Sequence, residues 1–313
     1  MFMEILLKIL SIFLLVGIGC FAYKAKLVPQ NSIPTLNSFV LNIAVPCLVL
    51  QSMQRDEINS KIFNDIVWSM VAFAIVTLLF VALAALVINH MKSIPDDDKG
   101  IYKLQVAFTN SGFMGYPLTS VIFGQYALFL AIIMNIIFSV LFYSIGAMMV
   151  DHKKGEKFFS MKLLGQLLSI PFMSSIVGFI IFISGLHFPS FIDSTLSLMA
   201  ATVSPVAMFI VGINLSHSKI KEIFTPANLV LCAVSLILVP AMTMGIDWLL
   251  PASNMVLVVH VFIMAMPSPA ITTVFAHRYN KNAKLAAEGV ASTTFFSLGT
   301  LALWSFFLTK MFL

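Results

Sequence analysis

The chain has 313 residues, of which 60% are hydrophobic and only 10% charged, and its formal net charge is +5. An average soluble domain is roughly 25% charged, so a soluble enzyme, a disordered chain and a small secreted scaffold are excluded and a polytopic membrane protein remains. In such a protein the excess of lysine reflects sorting across a bilayer, and it is no nucleic-acid signal.

Apolar runs bounded by polar, Pro or Gly residues follow one another at 4–23, 33–54, 63–91, 101–123, 126–150, 162–184, 191–216, 227–250, 254–277 and 284–310. Each can cross a hydrocarbon layer of about 30 Å at about 1.5 Å per residue. The first reads as a retained helix, because Glu4 precedes the run and no small-residue cleavage site follows. With the N-terminus outside, only Lys8, Arg55, Lys61 and Lys310 fall in outer segments, and all other Lys and Arg fall in inner loops. The positive-inside rule then puts both termini on the outer face of the inner or plasma membrane.

The polar segment 151–161 divides the runs into a first five-helix repeat, 1–150, and a second, 162–313, with 151–161 as cytoplasmic linker. Breakers recur in both halves. Val45-Pro46 in the second run answers Ser204-Pro205 in the seventh, and Gly112, Gly115 and Pro117 in the fourth answer Pro267 and Pro269 in the ninth. An odd number of spans per half inverts one half relative to the other. The expected fold is an all-α membrane protein of ten transmembrane helices in a 5+5 inverted repeat, with helices 4 and 9 broken and crossing. Paired interruptions in inverted halves point to a transporter site near the midplane.

Proline removes an N–H and clashes with the preceding turn, but it suits the first position of a helix. Tyr116-Pro117 and Met266-Pro267-Ser268-Pro269 are therefore expected to end one half-helix and start another. Each new start presents unpaired N–H groups and partial positive charge. Two such starts meeting in the membrane could hold a carboxylate without a buried Lys or Arg. Uncharged polar residues gather near the breaks: Asn110, Ser111, Thr119 and Ser120, then Ser268, Thr272 and Thr273, with Asn42 ahead of Pro46 and Asn135 midway along the fifth run. The candidate substrate-binding set is Asn42, Pro46, Asn110, Ser111, Gly115, Pro117, Asn135, Pro267, Ser268 and Pro269.

His260 lies inside the ninth run and is the proton-coupling candidate. Asp65, Asp247 and Glu288 sit near run ends. Asp96-Asp97-Asp98 reads as a solvated loop, and Cys20, Cys47 and Cys232 have neither disulfide nor metal spacing, so no metal and no cofactor is expected.

Leu41-Asn42-Ile43-Ala44-Val45-Pro46-Cys47-Leu48, Asn110 through Leu118, Pro205-Val206-Ala207-Met208-Phe209 with Gly212, and Pro267 through Asn280 occur in that order. With these motifs the chain resembles the auxin efflux carrier family along essentially its whole length, in a short bacterial form related to the bile-acid sodium symporter fold. The resemblance implies a scaffold of helices 1, 2, 6 and 7 and a moving transport domain of helices 3–5 and 8–10. It implies Asn110 as a substrate ligand, Pro117 and Pro267 as crossover residues, and a polar site position at Asn135. The long cytoplasmic loop of plant members is missing, and Ile170-Pro171 stands where they often have Asn-Pro.

The expected function is secondary transport of a small organic anion, a dicarboxylate such as malate or malonate or an auxin-like monocarboxylate, by an elevator-type mechanism. Its partners would be that anion and the lipid bilayer, with a second copy meeting it through the scaffold helices as a candidate. An intramembrane enzyme is disfavoured, because no HExxH, mid-span aspartate pair or phosphate loop occurs. A sodium-coupled bile-acid-type symporter and an anion channel are the alternatives.

Overall fold

The computed structural model describes residues 2–29, 32–54, 59–150, 168–217 and 220–313. Among the described residues the regular structure is helical, with no strand. The linker 151–161 and residues 162–167 of the sixth expected run lie outside them.

The helices are α1 Phe2–Lys24, α2 Ser32–Ser52, α3 Ser60–His90, α4 Asp96–Ala107, α5 Tyr116–Phe123, α6 Gln125–Val150, α7 Ile170–Ser184, α8 Ser190–Ala201, α9 Val203–His217, α10 Pro226–Asp247, α11 Asn254–Met264, α12 Ile271–Arg278 and α13 Ala283–Phe312. A single turn, Ile220–Ile223, precedes α10. Among the described residues, seven stretches are long and apolar enough to cross a membrane: α1, α2, α3, α6, the α8–α9 stretch, α10 and α13. The fourth and ninth expected runs fall short of that length because the chain leaves the helix within each. Starts are fixed by side-chain caps. Asn59 accepts from the Ile62 amide, Ser253 from that of Val256, and Asn282 from that of Leu285, which satisfies donors that a helix start leaves open.

Asp96, Asp97 and Asp98 are not a loop, as expected, but the first turn of α4. Three carboxylates there complement the helix dipole. Lys99 bonds to Asp96 at 2.7 Å, and Lys281 reaches Asp97 at 2.9 Å from the loop after α12.

Prolines act differently from the expectation of new starts. Pro46, Pro117 and Pro240 each sit two residues after a π-helical turn, at Val40–Ala44, Ser111–Gly115 and Val234–Leu238. A proline clashes with the carbonyl four residues earlier and offers it no N–H. Widening the turn ahead of the ring relieves both problems without ending the helix. Pro117 therefore stands inside a continuous helical stretch that begins at Ser111. The break lies earlier, at Phe108–Asn110, where Phe108 is extended.

The described helices bury one large apolar core and a small separate cluster of Ile101, Ala276 and Ala286. Around it, large apolar side chains face outward, including Leu14, Phe21, Phe191, Leu198 and Leu303, each about two-thirds or more exposed. Such side chains suit a lipid solvent. The most extensive helix pair is α1 with α9, while α2 packs on α7 and α8. Helices α3–α6 pack with one another, as do α10–α13, and α11 joins these two groups by lying against α3 and α6.

At the α1–α9 contact Gly19 faces the Phe209 carbonyl, Gly212 faces the Val16 carbonyl, and the Cys20 thiol donates to the Gly212 oxygen at 3.0 Å. Close backbone approach of this kind needs glycine on both helices.

Asp65 was expected near a run end and is indeed close to the start of α3, yet it is buried. Its Oδ2 accepts from the Tyr126 hydroxyl on α6 at 2.5 Å. Hydrogen bonds to charged groups contribute about 1.5–3 kcal/mol. Tyr126→Phe should accordingly lower the thermal midpoint of the detergent-solubilised protein by several degrees; an unchanged melting curve would show that Asp65 does not depend on that hydroxyl.

Candidate functional site

The break in the fourth run meets the break in the ninth. Phe108, Thr109 and Asn110 link α4 to the π turn, and Ala265 through Ala270 link α11 to α12. The Asn110 amide donates to the Pro267 carbonyl at 2.8 Å, so the two interruptions are joined backbone to backbone. Ser268 locks the crossing from two sides. Its hydroxyl donates to the Gln105 carbonyl at 3.0 Å, and its amide donates to Thr293 Oγ1 on α13 at 3.2 Å. A backbone that leaves the helix inside an apolar layer must find such partners. Pro267 and Pro269 stand in the linker between α11 and α12, not at the first helical position, and α12 begins at Ile271.

The restart after Asn110 is the more open of the two. The Ser111 amide turns back to the Thr109 oxygen and the Gly115 amide to the Asn110 oxygen. The amides of Gly112, Phe113 and Met114 are then the donors that a first turn leaves over. At α12 the Thr272 and Thr273 amides are taken by Pro269 and Ala270 oxygens. The expected symmetry of two equivalent positive ends is thus not what the hydrogen bonds display: the fourth-run restart has more free donors.

Side chains close around this turn. Ser111 donates to Asn135 Oδ1 on α6 at 2.8 Å, and Gly112 lies against the same atom. A Cβ on Gly115 would stand 2.8 Å from Ile263 Cδ1 of α11, the end of a side chain packed against this turn. Asn110 and Asn135 are each buried, at 8% exposure. The Tyr116 hydroxyl is buried beside Asn135 and Ser175 of α7 without a hydrogen bond of its own. The hydroxyls of Thr109, Thr119 and Thr272 are likewise buried and unpartnered. Unpaired buried polar atoms are costly, and those of Thr109 and Thr272 lie on the segments that meet here.

The structure therefore brings together Asn110, Ser111, Gly115, Asn135, Pro267 and Ser268, with Pro117 and Pro269 buried on the adjoining segments. Asn42 and Pro46 are placed apart from these contacts. Asn42 is exposed on the π turn of α2 and donates to Ser38, and Pro46 is half-buried. His260 stands on α11, six residues before Met266, and is fully buried. Its Nδ1 lies 2.8 Å from Asp247 Oδ2 at the end of α10. Sequence reading missed Tyr116, Thr109, Gln105 and Thr293, which have ordinary side chains at positions that only the crossing makes special. It also missed Asp247 as the partner of His260, since the two are joined across a turn and not along a helix.

A family model described as membrane transport protein matches residues 4–305. Among curated relatives, an uncharacterized transporter of Methanothermobacter thermautotrophicus is 28% identical over 95% of this chain and 96% of its own length. One of Methanocaldococcus jannaschii is 25% identical over 96% and 97%. Apolar helices that can cross a bilayer several times, two chain breaks joined inside the helical packing and a full-length family match agree: the chain belongs to the membrane transport protein family, the auxin efflux carrier family that its motifs resemble.

Proposed function

We propose that the protein is a secondary carrier for a small organic anion, held at the crossing of the fourth and ninth spans. The observation that carries this reading is the 2.8 Å bond from the Asn110 amide to the Pro267 carbonyl. It fixes a helical restart, with its unpaired amides, inside an otherwise apolar core. A carboxylate seated at Gly112–Met114 would receive backbone N–H groups and the positive end of the Ser111–Phe123 helical stretch. The side chains of Asn110, Ser111 and Asn135 would orient it.

The remaining architecture supports alternating access. The reading is of ten spans in two inverted halves with both termini outside, in which α1, α2, α7, α8 and α9 form the scaffold and α3–α6 with α10–α13 the moving body. The dominance of α1–α9 and α2–α7–α8 contacts on one side, and of contacts among α3–α6 and α10–α13 on the other, favours that partition. Apolar contacts of α6 with α2 and α7 then form the sliding surface.

The test is flux in proteoliposomes with radiolabelled malate, malonate, lactate and indole-3-acetate. Saturable counterflow of at least one acid is expected; unitary currents instead of counterflow would replace the carrier with a channel. Asn110→Ala should raise the half-saturating concentration roughly tenfold to a hundredfold. That range corresponds to losing a hydrogen bond to a charged group worth about 1.5–3 kcal/mol. Wild-type affinity in a folded variant would remove Asn110 from the site.

A further inference from the structure

We infer that Asp247 and His260 form a proton-carrying pair that couples anion movement to the proton gradient, a role resting on the carrier reading above. The pair is the one place in the described core where a carboxylate and an imidazole meet, at 2.8 Å, with exposures of 2% and 0%. A carboxylate only accepts, so His260 Nδ1–H is the donor. His260 Nε2 is left as a bare lone pair, buried and without a partner, and Asp247 Oδ1 is equally unpartnered. Replacing a buried ion pair by apolar groups of the same volume is often neutral or stabilising, so packing alone does not account for this one. Ionisable residues inside a membrane-spanning bundle mark ion pathways and proton relays.

The charge arithmetic supports the assignment. Without an added proton the pair carries −1 in a low-dielectric site. With a proton taken from water on Nε2, it becomes imidazolium and carboxylate with no net charge. The Phe73 ring of α3 packs against the imidazole, with centroids 5.4 Å apart.

Among the described residues, no other charge on the surrounding elements performs this neutralisation. The basic groups of α3 and α13, namely Lys61, His90, Lys284 and Lys310, stand within the first or last few residues of those helices. Of the acids, Asp65 on α3 bonds to Tyr126 of α6. Glu288 on α13 lies 3.5 Å from Lys284. Tyr116 of α5 and Tyr143 of α6 are the remaining phenols.

Position completes the link. His260 is on the half-helix that ends at the crossing, and Ile263 of the same half-helix fills the space beside Gly115. A proton gained or lost by the pair therefore travels with the body that holds the anion. For a monocarboxylate the cycle moves one negative and one positive charge together and is electroneutral.

The experiment separates coupling from carriage. Proteoliposomes are loaded with whichever of malate, malonate, lactate or indole-3-acetate gives counterflow, and two assays are run. Counterflow at equal pH on both sides reports carriage; accumulation driven by an imposed pH gradient, with a trapped pH indicator, reports coupling. Wild-type protein should show both, with a proton moving per anion. His260→Gln and Asp247→Asn should retain counterflow and lose at least tenfold of the pH-driven accumulation. If the wild type shows counterflow without gradient-driven accumulation or proton movement, the pair is not a coupling site, whatever the variants do. The pair is equally ruled out as a coupling site if either folded variant accumulates like wild type. Absence of counterflow for every acid would instead overturn the carrier reading, and the coupling with it.

Discussion

Gly212→Ala is expected to yield a protein that fails to fold stably, whereas Gly17→Ala on the facing helix leaves stability unchanged. A methyl carbon built on Gly212 would stand 2.0 Å from the Val16 carbonyl oxygen and 2.9 Å from the Cys20 amide nitrogen. One on Gly19 would stand 2.1 Å from the Phe209 oxygen. The obstacles are main-chain atoms, which cannot rotate aside as a side chain would. Relief requires α1 and α9 to separate along their whole contact, opening packing that lacks water-driven compensation in lipid. Inserting a methylene into a fitted core typically costs about 1–3 kcal/mol, and a backbone collision sits at or beyond the upper end. Gly17 has nothing within 4 Å of an added methyl and serves as control. Size-exclusion profiles and thermal midpoints in detergent check this. Equal stability of Gly212→Ala and Gly17→Ala would mean that α1 and α9 do not approach as described.

The second large effect belongs to the Asn110 amide. Asn110→Pro should abolish counterflow, while Asn110→Ala weakens affinity but still transports. Both remove the side chain; only proline also removes the donor that joins the two breaks at Pro267. The backbone tolerates proline there in one respect, because Asn110 has φ of −79°, within the range that the ring fixes. What is lost is a buried main-chain bond, leaving the Pro267 oxygen unpaired at a cost of about 1–3 kcal/mol. That cost falls on the geometry of the crossing itself. If Asn110→Pro transported as well as Asn110→Ala, the join would have no part in the site.

Span positions were legible because membrane insertion enforces long apolar runs with polar boundaries. Observed helix limits such as Ser60–His90 and Ala283–Phe312 lie within a few residues of the runs read at 63–91 and 284–310. Where the helical segments of the fourth run stop was not legible from proline. Proline drew attention to position 117, yet the chain leaves the helix at Phe108–Asn110, where no Pro or Gly marks it. There the deciding force is a partner on another segment, the Pro267 carbonyl, which no local pattern encodes.

Asn42 shows how local a polar residue's bonding can be. A polar residue near a proline looks like a ligand, but a wide turn that accommodates the ring needs no guest, and Asn42 bonds within its own helix to Ser38. Asp65 and Asp247 do stand near helix ends, but distance from a run boundary says nothing about which neighbours close over a side chain, and both are buried.

The wide turns at Val40–Ala44 and Val234–Leu238, with helix on both sides, have a geometric outcome of their own. Each contains one residue more than a regular turn, which swings everything downstream around the axis by about 100°, the angle of one step in a 3.6-residue helix. The side of α2 that carries Val45, Leu48, Val49 and Ser52 inward is consequently out of phase with the residues preceding it. Deleting a single residue from such a turn would leave an unbroken cylinder of nearly the same length while rotating its far half to present the wrong stripe to its neighbours.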